Sequence, residues 1–277
     1  MKTVKLPSGE RVPAFGQGTW RMGEDRASRK EEIACLRLGL DLGATLIDTA
    51  EMYGEGSAEE LVGEAIMDRR DEVFLVSKVY PHNASLHGAA AACDRSLRRL
   101  KTDRIDLYLL HWRGEVRLAE TMGAFVSLHK AGKIRHYGVS NLDLADMADL
   151  WKTAGGQAVA TDQVLYNLTR RGIEWALLPW LRDHRIPIMA YSPIEQARLA
   201  RDPKLVNFAH KHGVTPPQAA LAWLLTNEDV IVIPKTSERD RMRENIRAVD
   251  CRLTPSQLKE LDLLFPPPSG PRSLEML

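Results

Sequence analysis

Residues 44–78 read ATLIDTAEMYGEGSAEELVGEAIMDRRDEVFLVSK, and this stretch decides the fold. It opens with a short apolar run, Ala44–Asp48, that ends on a carboxylate. A loop punctuated by Gly54 and Gly56 follows, and then SAEELVGEAIMDRR, whose apolar residues recur at helical spacing with charges on the other face. A second apolar run, Val73–Ser77, leads into Lys78. Ser57 is expected to cap the helix, with Glu60 three residues later completing a capping box. Strand, amphipathic helix and strand within about thirty residues make a βαβ unit, the building block of a parallel sheet.

The alternation continues in both directions. Phe15–Thr19 precedes this unit; Ile105–His111, His136–Ser140, Ala158–Gln163, Pro187–Tyr191 and Val230–Ile233 follow it, so that eight strands are expected. Segments such as HGAAAACDRSLRRL supply the helices between them. Eight strand–helix repeats in 277 residues predict an α/β fold, a (β/α)8 TIM barrel forming one domain over 1–277. The rival is a doubly wound open sheet, which needs a third glycine that Gly16-Gln17-Gly18-Thr19-Trp20 lacks. Val4–Leu6, Pro7–Ser8–Gly9 and Val12–Pro13 predict an N-terminal hairpin. The tail PPPSGPRSLEML is expected to run as a loop over the barrel mouth, docked by Leu274, Met276 and Leu277.

Composition narrows the function. Apolar residues are 44 % and charged residues 27 % of the chain, an ordinary core and surface. A net charge of +1 gives no field to draw the protein to nucleic acid or acidic membrane. No apolar run reaches bilayer length, and MKTVKLPSGERVP lacks the apolar centre of a signal peptide. Cys35, Cys93 and Cys251 form no C-x-x-C pair and read as buried reduced thiols. A soluble cytoplasmic monomer, without nucleic-acid or membrane partners, is expected. His82, His184, His210 and His212 show no ligand spacing, so no metal is expected. By spacing alone, RRGIEW and ERDRMRENIR read as solvated helical stretches.

The active site of a β/α barrel lies at the C-terminal ends of its strands. Here those ends carry Trp20, Asp48, Lys78, His111, Ser140–Asn141, Gln163, Tyr191–Ser192 and Lys235. The opposite ends are entered through Arg70–Asp71, Thr102–Asp103, Lys133 and Arg185, which read as solvated loop charges. Asp48 and Lys78 end neighbouring strands and can pair inside the mouth. Tyr53 follows Asp48 by five residues and can fold back over the Lys78 ammonium. A phenol has an ordinary pKa near 10, and a nearby cation favours its phenolate, which makes it a better proton donor near neutrality.

At these residues the sequence resembles the aldo-keto reductase family. LIDTAEMYGEGSAEELVGEAI, VSKVY with LYLLHW, and VIVIPKTSERDRMRENI carry the likeness, supported by GQGTW, GKIRHYGVSN and AYSPI. AEMYGEG and the short loop after His111 look closest to bacterial enzymes of the methylglyoxal reductase type. The resemblance implies a small-molecule carbonyl substrate reduced with NADPH, and a catalytic tetrad of Asp48, Tyr53, Lys78 and His111. Tyr53 would protonate the carbonyl, Lys78 held by Asp48 would lower the tyrosine pKa, and His111 would orient the substrate. It also implies Ser140, Asn141 and Gln163 at the nicotinamide carboxamide, Tyr191 stacked on the ring, and Ser192 as a further cofactor-binding residue. Lys235, Thr236 and Arg241 would surround the 2′-phosphate of NADPH/NADP+, with Glu244 and Asn245 at the adenine. Trp20, Tyr80 and Trp112 are the expected walls of the substrate pocket. The loop EQARLARDPKL is short beside relatives whose loop folds over the pyrophosphate. Some relatives bind the cofactor chiefly as regulatory subunits of channels; the intact tetrad favours an enzyme.

Overall fold

FLVSKV and IDLYLL are buried at every position, as strands enclosed between a barrel interior and a helical layer must be. In the computed structural model, which describes residues 1–277, ten strands form. They are β1 (Thr3–Lys5), β2 (Arg11–Pro13), β3 (Gly16–Gly18), β4 (Leu46–Asp48), β5 (Phe74–Val79), β6 (Ile105–Leu110), β7 (Ile134–Ser140), β8 (Asp162–Leu165), β9 (Ile188–Tyr191) and β10 (Val230–Val232). β3 to β10 make an eight-stranded parallel sheet in sequence order. Parallel bridges from Phe15 to Val232 and from Gly18 to Lys235 bring its two edges together. Val232 N donates to Ala14 O at 2.9 Å and Gly18 N to Pro234 O at 3.0 Å, so the sheet closes as the expected barrel.

β1 and β2 pair antiparallel in the expected hairpin. Val4, Leu6 and Val12 are buried beneath it, and Glu10 reaches Arg135 and His136 at the start of β7 at 2.8 Å. The hairpin therefore covers the N-terminal end of the barrel and leaves the C-terminal mouth to the loops.

Helices lie outside the sheet. Those at Pro216–Leu225 and Pro255–Leu264 begin with true capping boxes, Thr215 with Gln218 and Thr254 with Gln257, each with proline in the first turn. The helix Ser57–Ile66 does not. Its cap is Gly56 at φ 98°, which makes Ser57 the first helical residue, and the expected box with Glu60 does not form. A glycine is needed there because the chain turns through left-handed backbone at Gly54, Glu55 and Gly56. Gly63 lets the same helix approach the next, since a Cβ would sit 2.7 Å from Arg99 O.

Other expectations need correction. β8 starts at Asp162 rather than Ala158, because Gly156–Ala158 is wound into a 3-10 turn. RRGIEW is another 3-10 turn, at Gly172–Glu174, and its Arg171 pairs with Glu174 and Asp262 rather than with water. Arg70 is not a solvated loop charge: it donates to Val73 O, Arg104 O and the buried Asp106, joining strand entries at the barrel floor. Cys35 and Cys93 are buried free thiols, whereas Cys251 is partly exposed. No helix is long and apolar enough to cross a membrane.

Candidate active site

Asp48 closes β4, and Lys78 lies two residues beyond its register partner Val76 on β5. Lys78 is fully buried and its ammonium makes three hydrogen bonds: to Asp48 Oδ2 and Thr49 O, each at 2.8 Å, and to the Tyr53 hydroxyl at 3.2 Å. An ammonium has three protons, so all are committed. Burial works against the Lys78 charge, but Asp48 and then Tyr53 outweigh it, and the pKa stands above its ordinary value.

Tyr53 reaches this position because its loop is tied down on both sides. Tyr53 N donates to Ala50 O at 3.1 Å. Glu51 Oε1 accepts from Tyr80 N at 2.8 Å and Asn83 Nδ2 at 3.0 Å, holding the loop to the turn after β5. Burial is the largest influence on the phenol and raises its pKa; Lys78 pulls it down and Asp48 adds to the rise. Lys78 thus acts on the phenol in the expected direction, with burial the larger influence. The cation opposes burial but does not overcome it, and the phenol stays protonated at neutrality.

His111 follows β6, with its ring 5.8 Å from Tyr53 and 4.9 Å from Trp112. Burial, and then the Lys78 charge, push its pKa down to about 2, so the imidazole is neutral. Its Nδ1 is buried without a partner.

Tyr53 and His111 line one side of a cleft of 790 Å³, which also takes in Trp20, Asp48 and Trp112. Tyr80 does not reach it. The ring stands edge-on behind Trp112 at 5.9 Å and packs on His82, because the strand ends at Val79 and Pro81 turns the chain away. Arg21, missed in the sequence, stacks its guanidinium on Trp20 at 4.4 Å.

Around the mouth, Ser140, Asn141, Gln163, Tyr191 and Ser192 line the same cleft. Gln163 Nε2 donates to Asp48 Oδ1 at 2.7 Å and to Met189 Sδ at 2.9 Å, so its amide nitrogen is engaged while Oε1 accepts nothing from the protein. Ser140 Oγ donates to Gln163 O at 2.8 Å, Asn141 Nδ2 to His111 O at 3.2 Å, and the Tyr191 hydroxyl to Asn141 Oδ1 at 3.0 Å. These bonds draw the ends of β6 to β9 into one polar rim.

The far end of the cleft is built by Lys235, Thr236, Arg241, Glu244 and Asn245. Arg241 is not idle: its Nε pairs with Glu238 at 3.0 Å, with both side chains about 60 % exposed. Such an exposed pair is weak and readily exchanged for a stronger anion. The loop after β9 also lines the cleft, with Gln196, Ala197, Ala200 and Arg201, and the tail contributes Met276 and Leu277 as expected. Gln196, Ala197, Ala200 and Arg201 carried no recognisable pattern in the sequence.

An unengaged amide oxygen linked through Asp48 and Lys78 to the phenol, with Trp20 and Trp112 in the same lining and cations and buried polar groups elsewhere in the cleft, suit a long, partly anionic cofactor lying beside a small carbonyl compound. Comparison with known proteins agrees. The model of the aldo/keto reductase family matches residues 14–264. Methylglyoxal reductase YeaE of Escherichia coli (strain K12) is 48 % identical over 281 residues, covering 100 % of this chain and 99 % of its own. The glyoxal reductase of Bacillus subtilis is 32 % identical, covering 95 % of this chain and 92 % of its own. An aldo/keto reductase from Klebsiella pneumoniae, crystallised with NADP and acetate, superposes with a TM-score of 0.97 at 49 % identity, covering 100 % of this chain and 99 % of that one. The chain belongs to the aldo/keto reductase family and is an oxidoreductase.

Proposed function

We propose that the chain, acting as one domain, reduces small aldehydes and ketones to alcohols with NADPH, and that Tyr53 is the proton donor. Methylglyoxal-like dicarbonyls and small aromatic aldehydes are the substrates to test first. The observation that carries this reading is the saturated Lys78 ammonium, which donates to Asp48, Thr49 O and the Tyr53 hydroxyl. Because the phenolic oxygen accepts from Lys78, its own proton is left to point into the cleft.

NADPH, when bound, supplies the hydride. The rest belongs to the protein. As the carbonyl oxygen gains charge, Tyr53 gives it a proton, and the phenolate that results rests on the Lys78 ammonium. That ammonium is fixed beforehand by Asp48, so no reorganisation is needed during the step. His111 stays neutral. Its Nδ1 is buried without a partner, and an orphaned buried N–H is rarer than an orphaned acceptor. The imidazole proton therefore sits on Nε2, from which it can donate to the carbonyl oxygen and orient it.

Ser140, Asn141 and Gln163 would hold the nicotinamide amide, Gln163 through its unengaged Oε1; Tyr191 would stack on the ring, and Ser192 would be a further cofactor contact. Lys235, Thr236 and Arg241 would take the 2′-phosphate, and Glu244 and Asn245 the adenine. Guanidinium and ammonium groups together suit a dianion. Trp20 and Trp112 wall the carbonyl pocket; Tyr80 only supports Trp112. The name of the Escherichia coli relative and the NADP in the Klebsiella pneumoniae structure support the same reading. The test is NADPH consumption by purified protein with methylglyoxal and a panel of small aldehydes. Steady turnover is expected. Tight NADPH binding without turnover on a broad panel would contradict it.

A further inference from the structure

One side chain holds two segments of the cleft wall that lie far apart in the sequence. Arg170, in the turn after β8, donates from Nε and Nη2 to Glu195 Oε1 at 3.0 and 2.9 Å. From Nη1 it donates to Glu275 Oε1 at 2.5 Å. Its place is set locally, because Asn167 Oδ1 accepts from the backbone of Thr169 and Arg170 at 2.9 and 3.1 Å.

Glu195 belongs to the loop after β9 and is only 4 % exposed. Its second oxygen accepts from Asn167 Nδ2 at 2.7 Å, and the same amide donates to Ser192 O at 2.9 Å. The loop needs this anchorage. Glu195, Gln196 and Ala197 have φ of 49°, 51° and 68°, three successive non-glycine residues in the left-handed region, with Ser192 at 47° before them. Such backbone persists only where its surroundings hold it. Beyond the anchor the loop presents Gln196, Ala197, Ala200 and Arg201 to the cleft. Glu275 sits beside Met276 and Leu277, which line the same cleft, and the Leu277 backbone lies against Tyr191.

We propose that Arg170 is a positioning residue that couples cofactor retention to the wall of the carbonyl pocket, by fixing the loop after β9 and the C-terminal tail with one guanidinium. The proposal rests on the cleft being the NADPH site. A guanidinium engaged by Glu275 on one edge and Glu195 on the other can relax towards neither without loosening both segments. Coupling between two binding events is reciprocal, so what tightens the loop tightens the tail.

Replacing Arg170 would leave the buried Glu195 with only Asn167 and a more distant Arg198, at 3.7 Å, and endanger the fold. Glu275→Gln avoids this, because the Glu275 side chain is 45 % exposed. Full-length wild type and Glu275→Gln are compared by hydrogen exchange of the tail with and without NADP+, and by the NADPH dissociation rate in stopped flow. In wild type, NADP+ slows exchange over residues 272–277. In Glu275→Gln most of that slowing disappears and NADPH leaves about two- to fivefold faster, the range of an exposed ion pair. The KM for the carbonyl substrate rises, whereas the isotope effect on the hydride step with deuterated cofactor is unchanged, which a general folding defect would not spare. Equal NADPH dissociation rates in the two proteins, or a tail indifferent to NADP+ in wild type, overturn the coupling. A wild-type protein that binds no NADPH overturns the cofactor assignment itself, and the coupling with it.

Discussion

Gln163 donates its side-chain amide to Asp48 Oδ1 at 2.7 Å, which joins the residue assigned to the nicotinamide to the carboxylate that steadies Lys78. Asp48 is thus held by Gln163 on one oxygen and by Lys78 on the other, and Lys78 passes the constraint on to Tyr53. A single chain of hydrogen bonds fixes the proposed acid relative to the cofactor end of the cleft.

From this chain, Lys78→Met should damage turnover far more than Asp48→Asn. The methionine removes the charge that stabilises the phenolate, whereas an asparagine can still accept from the lysine. A fall in kcat of about 10²-fold or more is expected for Lys78→Met, and a smaller one for Asp48→Asn. Single-turnover rates, taken with a circular-dichroism check because Asp48 loses its buried partner, decide the matter. Equal, mild losses in well-folded proteins would refute the lysine's role.

Arg241 should set the preference for NADPH over NADH. Hydrogen bonds to charged groups contribute about 1.5–3 kcal/mol, so Arg241→Ala should weaken NADPH binding roughly ten- to hundredfold and leave NADH little changed. Glu238, 3.0 Å from Arg241, competes with the phosphate for it. Glu238→Gln should therefore tighten NADPH binding slightly. Fluorescence titrations of both cofactors test this; equal loss of affinity for both in Arg241→Ala would place the residue outside the phosphate site.

Stability should fall in mild acid on account of His111. Its folded pKa is pushed down to about 2, whereas the unfolded chain takes up the proton near 6.5. Between those values the unfolded state binds more protons, so falling pH favours it, by about 1.4 kcal/mol per pH unit for this one group. Urea unfolding of wild type and His111→Asn at pH 7.5, 6 and 5 should show the steeper loss in wild type. Parallel losses would mean that His111 is protonated in the folded protein.

Asp162 has the opposite sign. Its carboxyl is fully buried with no side-chain partner, and burial, outweighing the backbone N–H of Leu142 that faces it, raises its pKa well above the usual range. The stability it contributes is present in full below about pH 3.9 and is lost as pH rises towards the folded pKa. Asp162→Asn should raise the unfolding temperature at pH 7.5 and lose that advantage near pH 4. A variant less stable at pH 7.5 would show that the carboxyl is ionised and satisfied.

The sequence was legible where one residue type answers to one constraint. Runs such as FLVSKV announce strands buried on both faces, and Asp48, Lys78 and His111 stand out because titratable groups rarely end such runs. Legibility failed where backbone or distance decides. Ser57 has the right chemistry to cap a helix, but the left-handed Gly56 before it takes that position. Tyr80 would face inward by strand parity if β5 continued, but Pro81 turns the chain first. Arg241 shows its charge in the sequence but not its contact with Glu238. Arg170 meets partners 25 and 105 residues away, and no local pattern records either.

The most direct test of the central claim is the hydride-transfer rate of Tyr53→Phe, measured in single turnover alongside its NADPH dissociation constant. Loss of general acid catalysis costs about 10²–10⁴-fold, whereas the proposed cofactor contacts come from other strands. The rate should fall by that factor while the NADPH constant stays within about twofold of wild type. A variant that keeps more than about half of the wild-type hydride rate would show that Tyr53 is not the proton donor.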